Sequence, residues 1–256
     1  TLGQTIAQDV AESLLYEVND PAPAQIPAPS VIESAMELLA SAKKPLIYIG
    51  KGAAYAQCED EVRQFVESTG APYLAMSMAK GLLPDDHPQN AASARGMTMR
   101  EADVVVLLGA RLNWMLNFGK GKHWNENVKF IQVDIDPTEI DNSRYIAAPV
   151  VGDLKSTVRL FNDYLAAHPY KADPAWLEAI QADSAKNNAR FSGAETADTV
   201  PMTHYNALGA IKKVTDANHD VYIANEGANA LDDCRDIIDM YLPRHRLDCG
   251  TWGVMG

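Results

Sequence analysis

The run VVVLLG, Val104 to Gly109, restricts the fold of this chain more than any other stretch. An unbroken apolar run rich in β-branched residues fits a strand covered on both faces and offers no polar side to water. Such strands belong to parallel sheets, which need a crossover helix between consecutive strands. The chain supplies that alternation. A helix over VIESAMELLASA, with Ser30 as its N-cap, precedes a strand at Leu46 to Ile49, and a helix over Glu59 to Ser68 precedes a strand at Tyr73 to Met76. The helical segment SARGMTMREA leads into Val104 to Leu108, strands at Phe130 to Asp134 and Pro149 to Val151 follow, and a helix over Lys155 to Ala167 closes the set. The expected fold is α/β, a doubly wound parallel sheet over residues 30–167.

A length of 256 residues exceeds the ~100 to 200 typical of one domain, so a second element is expected. The proline-rich NDPAPAQIPAPS favours an extended linker, and residues 1–29 are assigned to it. Residues 168–200 are polar, with one helical stretch around PAWLEAIQADSAKNNARF, and form a second linker. From Pro201 another α/β unit begins: helix YNALGAIKKVTDA, strand DVYIAN, helix ALDDCRDIIDMY, strand HRLDCG. Two strands and two helices bury too little to stand alone, so residues 201–256 read as the start of a domain. The absence of an initiator Met and the glycine-rich end at Gly256 suggest a middle piece of a longer polypeptide.

Thirty-four acidic against 22 basic residues give a net charge of −12, and nothing resembles a basic stripe that could neutralise a phosphate backbone, which argues against nucleic acid as a partner. Cys58, Cys234 and Cys249 lack disulfide or zinc spacing, and the six histidines show no HxxxH or HxH pattern. No run is long and apolar enough for a membrane span, so the expected location is a reducing cytoplasm.

Ligands of open parallel sheets lie beyond the carboxyl ends of the strands. Four loops are selected by that rule. In IGKGAAYA, Gly50 and Gly52 permit close backbone approach and Lys51 offers a charge for a phosphate; a plain tight turn with a solvated lysine is the alternative. In GARLNW, Arg111 suits a bidentate phosphate contact, or else pairs with a nearby acid. Asp134 ends the fourth strand, where an acid accepts hydrogen bonds from ribose hydroxyls. Asp153 precedes a helix, where N-capping is the simpler role. Together they point to a nucleotide site. In the second unit, NEGAN places Asn225, Glu226 and Asn229 between strand and helix, and no catalytic triad or carboxylate pair is assignable.

The stretches IGKGAAYAQ, MSMAKGLLPDDHP, LLGARLNW, PVVGDLKS, NEGANALD and RLDCGTWGVMG carry a resemblance. From about Ala35 onward the sequence resembles the oxalyl-CoA decarboxylase family of thiamine-diphosphate-dependent enzymes; 2-hydroxyacyl-CoA lyases and acetolactate synthases share the architecture more distantly. The resemblance implies a middle domain and the truncated start of a thiamine-diphosphate-binding domain. It implies ADP as an activator, with Lys51 and Arg111 on the phosphates, Asp134 and Ile135 near the ribose, and Asp153 and Leu154 near the adenine. Thiamine-diphosphate contacts are implied at Ala228, Asn229, Gly253, Val254 and Met255, and coenzyme A contacts at Asn187 and Arg235. Where the family pattern has Asn-Tyr, this sequence has Thr203 and His204 followed by Tyr205, so either His204 or Tyr205 fills that cofactor position.

The implied reaction is non-oxidative decarboxylation of oxalyl-CoA to formyl-CoA and CO2 in oxalate catabolism. A 2-hydroxyacyl-CoA lyase and a non-catalytic ADP-binding module are the alternatives. The activating glutamate and the Mg2+ site are expected on other segments, so no catalytic or metal-binding residue is assigned here and the 256-residue chain alone is expected to be inactive. The complete parent is expected to be a homo-oligomer, a dimer or tetramer.

Overall fold

The computed structural model describes residues 23–191, 193–197, 199–225, 227 and 229–248. Five parallel strands form its larger sheet: β1 (Pro45–Ile49), β2 (Tyr73–Ala75), β3 (Val104–Leu108), β4 (Lys129–Asp134) and β5 (Ala148–Val151), in the order β2-β1-β3-β4-β5. Register runs Leu46 to Val105, Val105 to Phe130 and Ile131 to Ala148 across neighbouring strands. The order reverses between β1 and β3, which is the topological switch point of a doubly wound sheet.

Both faces are covered, as the apolar runs require. Ile47, Ile49, Val104, Val106, Leu108, Ile131 and Val133 point to one core. There they meet α1 (Pro29–Ala40), α3 (Glu59–Thr69) and α5 (Leu154–Ala167) through Met36, Leu39, Phe65, Val158 and Phe161. The alternate residues Leu46, Tyr48, Val105, Leu107 and Phe130 face the other core with Met99 of α4 (Arg95–Glu101). The segment read as a second linker carries α6 (Pro174–Phe191), whose Trp176 and Ile180 enter that same core; the Trp176 indole N–H donates to the Pro45 carbonyl at 2.9 Å.

Element boundaries differ from the sequence expectation in places with a physical cause. Ser30 is not an N-cap. The helix starts two residues earlier with Pro29 in its first turn and Ala28 as the cap, because proline needs no amide partner there. The glycine-rich stretch after β1 is not a plain turn, since a short helix, α2 (Lys51–Tyr55), begins immediately. SARGMTMREA divides into a 3-10 turn, Ala92–Ala94, and α4.

The second unit contains α7 (His204–Ala217), β6 (Ile223–Asn225), α8 (Asn229–Ile237) and β7 (Arg246–Asp248), with β6 and β7 parallel. Helix α7 is capped by Thr203 and Asn206 in a reciprocal capping box. Helix α8 stops at Ile237 although the apolar pattern of the sequence runs on to Tyr241. The extended stretch beyond it docks on the loop after β2 and on α3: the Asp85 amide donates to the Met240 carbonyl, the Met240 amide donates to the Asp85 carboxylate, and Arg244 forms a forked pair with Glu59 at 3.0 Å.

Candidate nucleotide site

At the switch point the loops after β1 and β3 press together backbone to backbone. Gly109 has φ +60°, and a Cβ there would stand 2.7 Å from the Gly52 Cα. The Gly52 amide donates to the Gly109 carbonyl at 3.1 Å and the Gly50 amide to the Leu108 carbonyl at 2.9 Å. The close approach that the sequence assigned to a ligand is thus made by the two loops to each other. What the packing leaves for a ligand is the Lys51 side chain, exposed at the start of α2.

Arg111 follows β3, and its Nη1 lies 2.8 Å from Glu139 Oε1. That hydrogen bond raises the guanidinium further above its already high ordinary value, with Glu139 and Asp134 both adding attraction. Asp134 ends β4; its carboxylate accepts from the Asp136 amide at 3.0 Å, and burial pushes it above the usual carboxylate range. Ile135, next in the chain, is 67% exposed and offers an apolar surface beside it. The amide of Gly152 donates to the Asp134 carbonyl at 3.0 Å, joining the ends of β4 and β5. Asp153 is an N-cap, accepting from the Ser156 amide at 2.8 Å. Its backbone N–H is taken by the Gln25 carbonyl, and Leu154 is buried in the core. Lys51, Arg111, Asp134 and Ile135 therefore project at one edge of the sheet, whereas Asp153 and Leu154 are occupied by helix capping and packing.

A cleft of about 360 Å3 opens beside Arg111. Its walls include Asn113, Gln132, Glu139, Arg144 and Trp114, the last 58% exposed. Sequence reading missed this group, because the segment after β4 has no periodicity and only Arg111 stood at a strand end. Arg144 is a structural member: it donates to the carbonyls of Gly119, Glu126 and Val128.

The other candidates gather at the boundary with the second unit. Asn187 donates to the Ser93 carbonyl at 2.8 Å, and nearby Arg95 Nε donates to the Tyr48 hydroxyl at 3.1 Å. Burial raises that hydroxyl, and the charges of Arg95 and Arg235 oppose the rise. Arg235 Nε and both amide atoms of Asn225 are buried without a partner among the described residues. Orphaned donors of this kind fit a polar or anionic ligand. Asn229 opens α8 and is exposed. His204 pairs with Asp233 at 3.0 Å, while Tyr205 packs against Cys234, Ile237, Ile238 and Met240. Ala228, Gly253, Val254 and Met255 lie outside the described residues, as do Glu226 and Cys249. Among the described residues no group of three or more His, Cys, Asp or Glu is arranged to hold a metal ion, and no helix is long and apolar enough to cross a membrane.

Residues 32–161 match the family model described as thiamine pyrophosphate enzyme, central domain. The chain belongs to the thiamine pyrophosphate enzyme family. The matched range contains all five strands of the large sheet and the whole of the strand-end site. Oxalyl-CoA decarboxylase of Escherichia coli is 47% identical over 255 residues, covering 100% of this chain and 45% of that relative. The 2-hydroxyacyl-CoA lyase of Arabidopsis thaliana is 38% identical over 265 residues, covering 100% of this chain and 46% of its own. Human 2-hydroxyacyl-CoA lyase 1 is 36% identical over 229 residues, with 89% and 39% covered. The chain thus spans about half the length of the curated relatives it matches.

Proposed function

We propose that this chain contributes the ADP-binding central domain, residues 30–167, and part of the thiamine diphosphate site, within residues 201–256, of an enzyme that decarboxylates oxalyl-CoA to formyl-CoA and CO2. Residues 1–29 and 168–200 connect these parts to their neighbours. The observation that carries the reading is the 47% identity to the Escherichia coli oxalyl-CoA decarboxylase across both units of the chain, against 38% and 36% for the two lyases. Thiamine diphosphate, with Mg2+, supplies an electron sink when bound.

The places of this chain's own residues support the following roles. Lys51 and Arg111 hold the phosphates of ADP, Asp134 accepts from its ribose hydroxyls, and Ile135 packs against it. Asn229, at the amide-rich start of α8, receives the cofactor diphosphate, where the helix dipole favours negative charge. His204 or Tyr205 completes the cofactor contact, and Arg235 with Asn187 binds coenzyme A. The enzyme is a cytoplasmic homo-oligomer.

Assaying the holoenzyme against oxalyl-CoA and a 2-hydroxyacyl-CoA tests the reaction. Thiamine-dependent release of formyl-CoA is expected; turnover of the hydroxyacyl substrate alone would establish the lyase instead. Calorimetry with ADP tests the central site, and ADP binding without turnover of either substrate would leave only a nucleotide-binding module.

A further inference from the structure

Lys80 and Asp85 form a buried ion pair at the joint between the two sheets. Lys80 lies in the loop after β2 and is 9% exposed. Its Nζ stands 3.1 Å from Asp85 Oδ2, and the Asp85 side chain is 6% exposed. The ammonium also donates to the carbonyls of Arg235, at 2.6 Å, and Ile238, at 3.1 Å. Arg235 is in the last turn of α8 and Ile238 directly follows that helix. Asp85 is equally engaged: its Oδ2 accepts from the Met240 amide at 2.8 Å, and its own amide donates to the Met240 carbonyl at 2.9 Å.

A buried ammonium is costly unless its charge and donors are met, and here a carboxylate and two carbonyls meet them. Those carbonyls are the unsatisfied, partly negative end of a helix, where a cation is favoured. A lysine of the central domain therefore caps a helix of the other unit. The loop is fitted to this contact, since Gly81 has φ +83° and a Cβ there would collide with the Leu242 carbonyl. The capped helix carries Asn229 at its first position and Arg235 in its last turn.

We propose that Lys80 is a positioning residue for the coenzyme A and diphosphate contacts: with Asp85 it docks the end of α8 on the loop after β2 and thereby fixes Arg235 and Asn229. This rests on the function proposed above.

The test compares Lys80→Met, Lys80→Arg and Asp85→Asn in the holoenzyme. Lys80→Met is expected to raise KM for the acyl-CoA about tenfold, as loss of one charge-assisted contact would, while the ADP Kd stays within about twofold. Lys80→Arg keeps the cation and recovers most of that loss. Hydrogen exchange provides a readout independent of turnover: the amides of α8 exchange about tenfold faster in Lys80→Met, and those of α5 do not. Should Lys80→Met fail to fold, Asp85→Asn carries the test, with a KM rise of about threefold and faster α8 exchange. Unchanged α8 exchange, or equal losses of ADP and acyl-CoA binding, would overturn the proposal. An inactive wild type whose α8 exchange still depends on Lys80 would instead overturn the functional reading alone.

Discussion

Arg111 meets Glu139 before any phosphate arrives, so the guanidinium is oriented at the edge of the sheet while most of its donors remain free for a ligand. Replacing it with alanine should weaken ADP binding roughly tenfold to a hundredfold, the range for losing a charge-assisted hydrogen bond or a forked pair of them. Arg111→Lys should fall between, because the charge survives and the fork does not. Calorimetric titration reads both, and an Arg111→Ala variant with wild-type affinity would remove the site. Asp134 tests the neighbouring contact with two effects of opposite sign. Burial raises its carboxyl above the ordinary value, so its contribution to stability is present at low pH and is lost as pH rises through the raised value. Asp134→Asn should therefore melt no lower than wild type near neutral pH, with any advantage disappearing as pH falls through that value. The same variant should bind ADP severalfold more weakly, about threefold to tenfold, through loss of an ionised acceptor. A fall in Tm with unchanged affinity would make Asp134 purely structural.

The elements show where local pattern is sufficient. The strand over Val104–Leu108 coincides with the sequence expectation, because five apolar residues between polar or glycine neighbours leave one way to be buried. Ser30 and the end of α8 departed from it. Proline at the first helical position displaced the cap, and the apolar residues after Ile237 serve an extended segment docked on Asp85. No periodicity announces either event. The same holds for Gly52, whose place after a strand suggested a ligand approach and whose actual neighbour is Gly109. Gly109→Ala should cost about 2–4 kcal/mol, from a left-handed backbone and a collision with backbone that cannot yield. Urea denaturation measures it, and a loss below about 0.5 kcal/mol, the scatter of neutral surface changes, would show that the switch-point loops can separate.

At the scale of the molecule, stability is concentrated in the central sheet. Phe161 is fully buried with its ring 5.7 Å from that of Phe65, and Phe161→Ala should cost about 3–5 kcal/mol in chemical denaturation. The joint to the second unit is weaker in energy but placed to matter. Arg244 holds the Glu59 carboxyl below its ordinary value, so this tie contributes above the unfolded carboxylate value and is lost as pH falls through the depressed one. Because Arg244 is 40% exposed on its side chain, Arg244→Gln should cost no more than about 1 kcal/mol and less in high salt. A cost near that of Phe161→Ala would contradict the partition.

The sequence by itself determined the α/β class, every strand of the central sheet to within a residue at either end, and the loops on which Lys51, Arg111 and Asp134 stand, because burial on two faces and the carboxyl-end rule are properties of local pattern. Only the tertiary structure decided that Gly52 and Gly109 serve each other, that Glu139 and Trp114 flank Arg111, and that Lys80 reaches across to cap α8. Those contacts join residues from separate segments, and their energy depends on distances that folding alone sets.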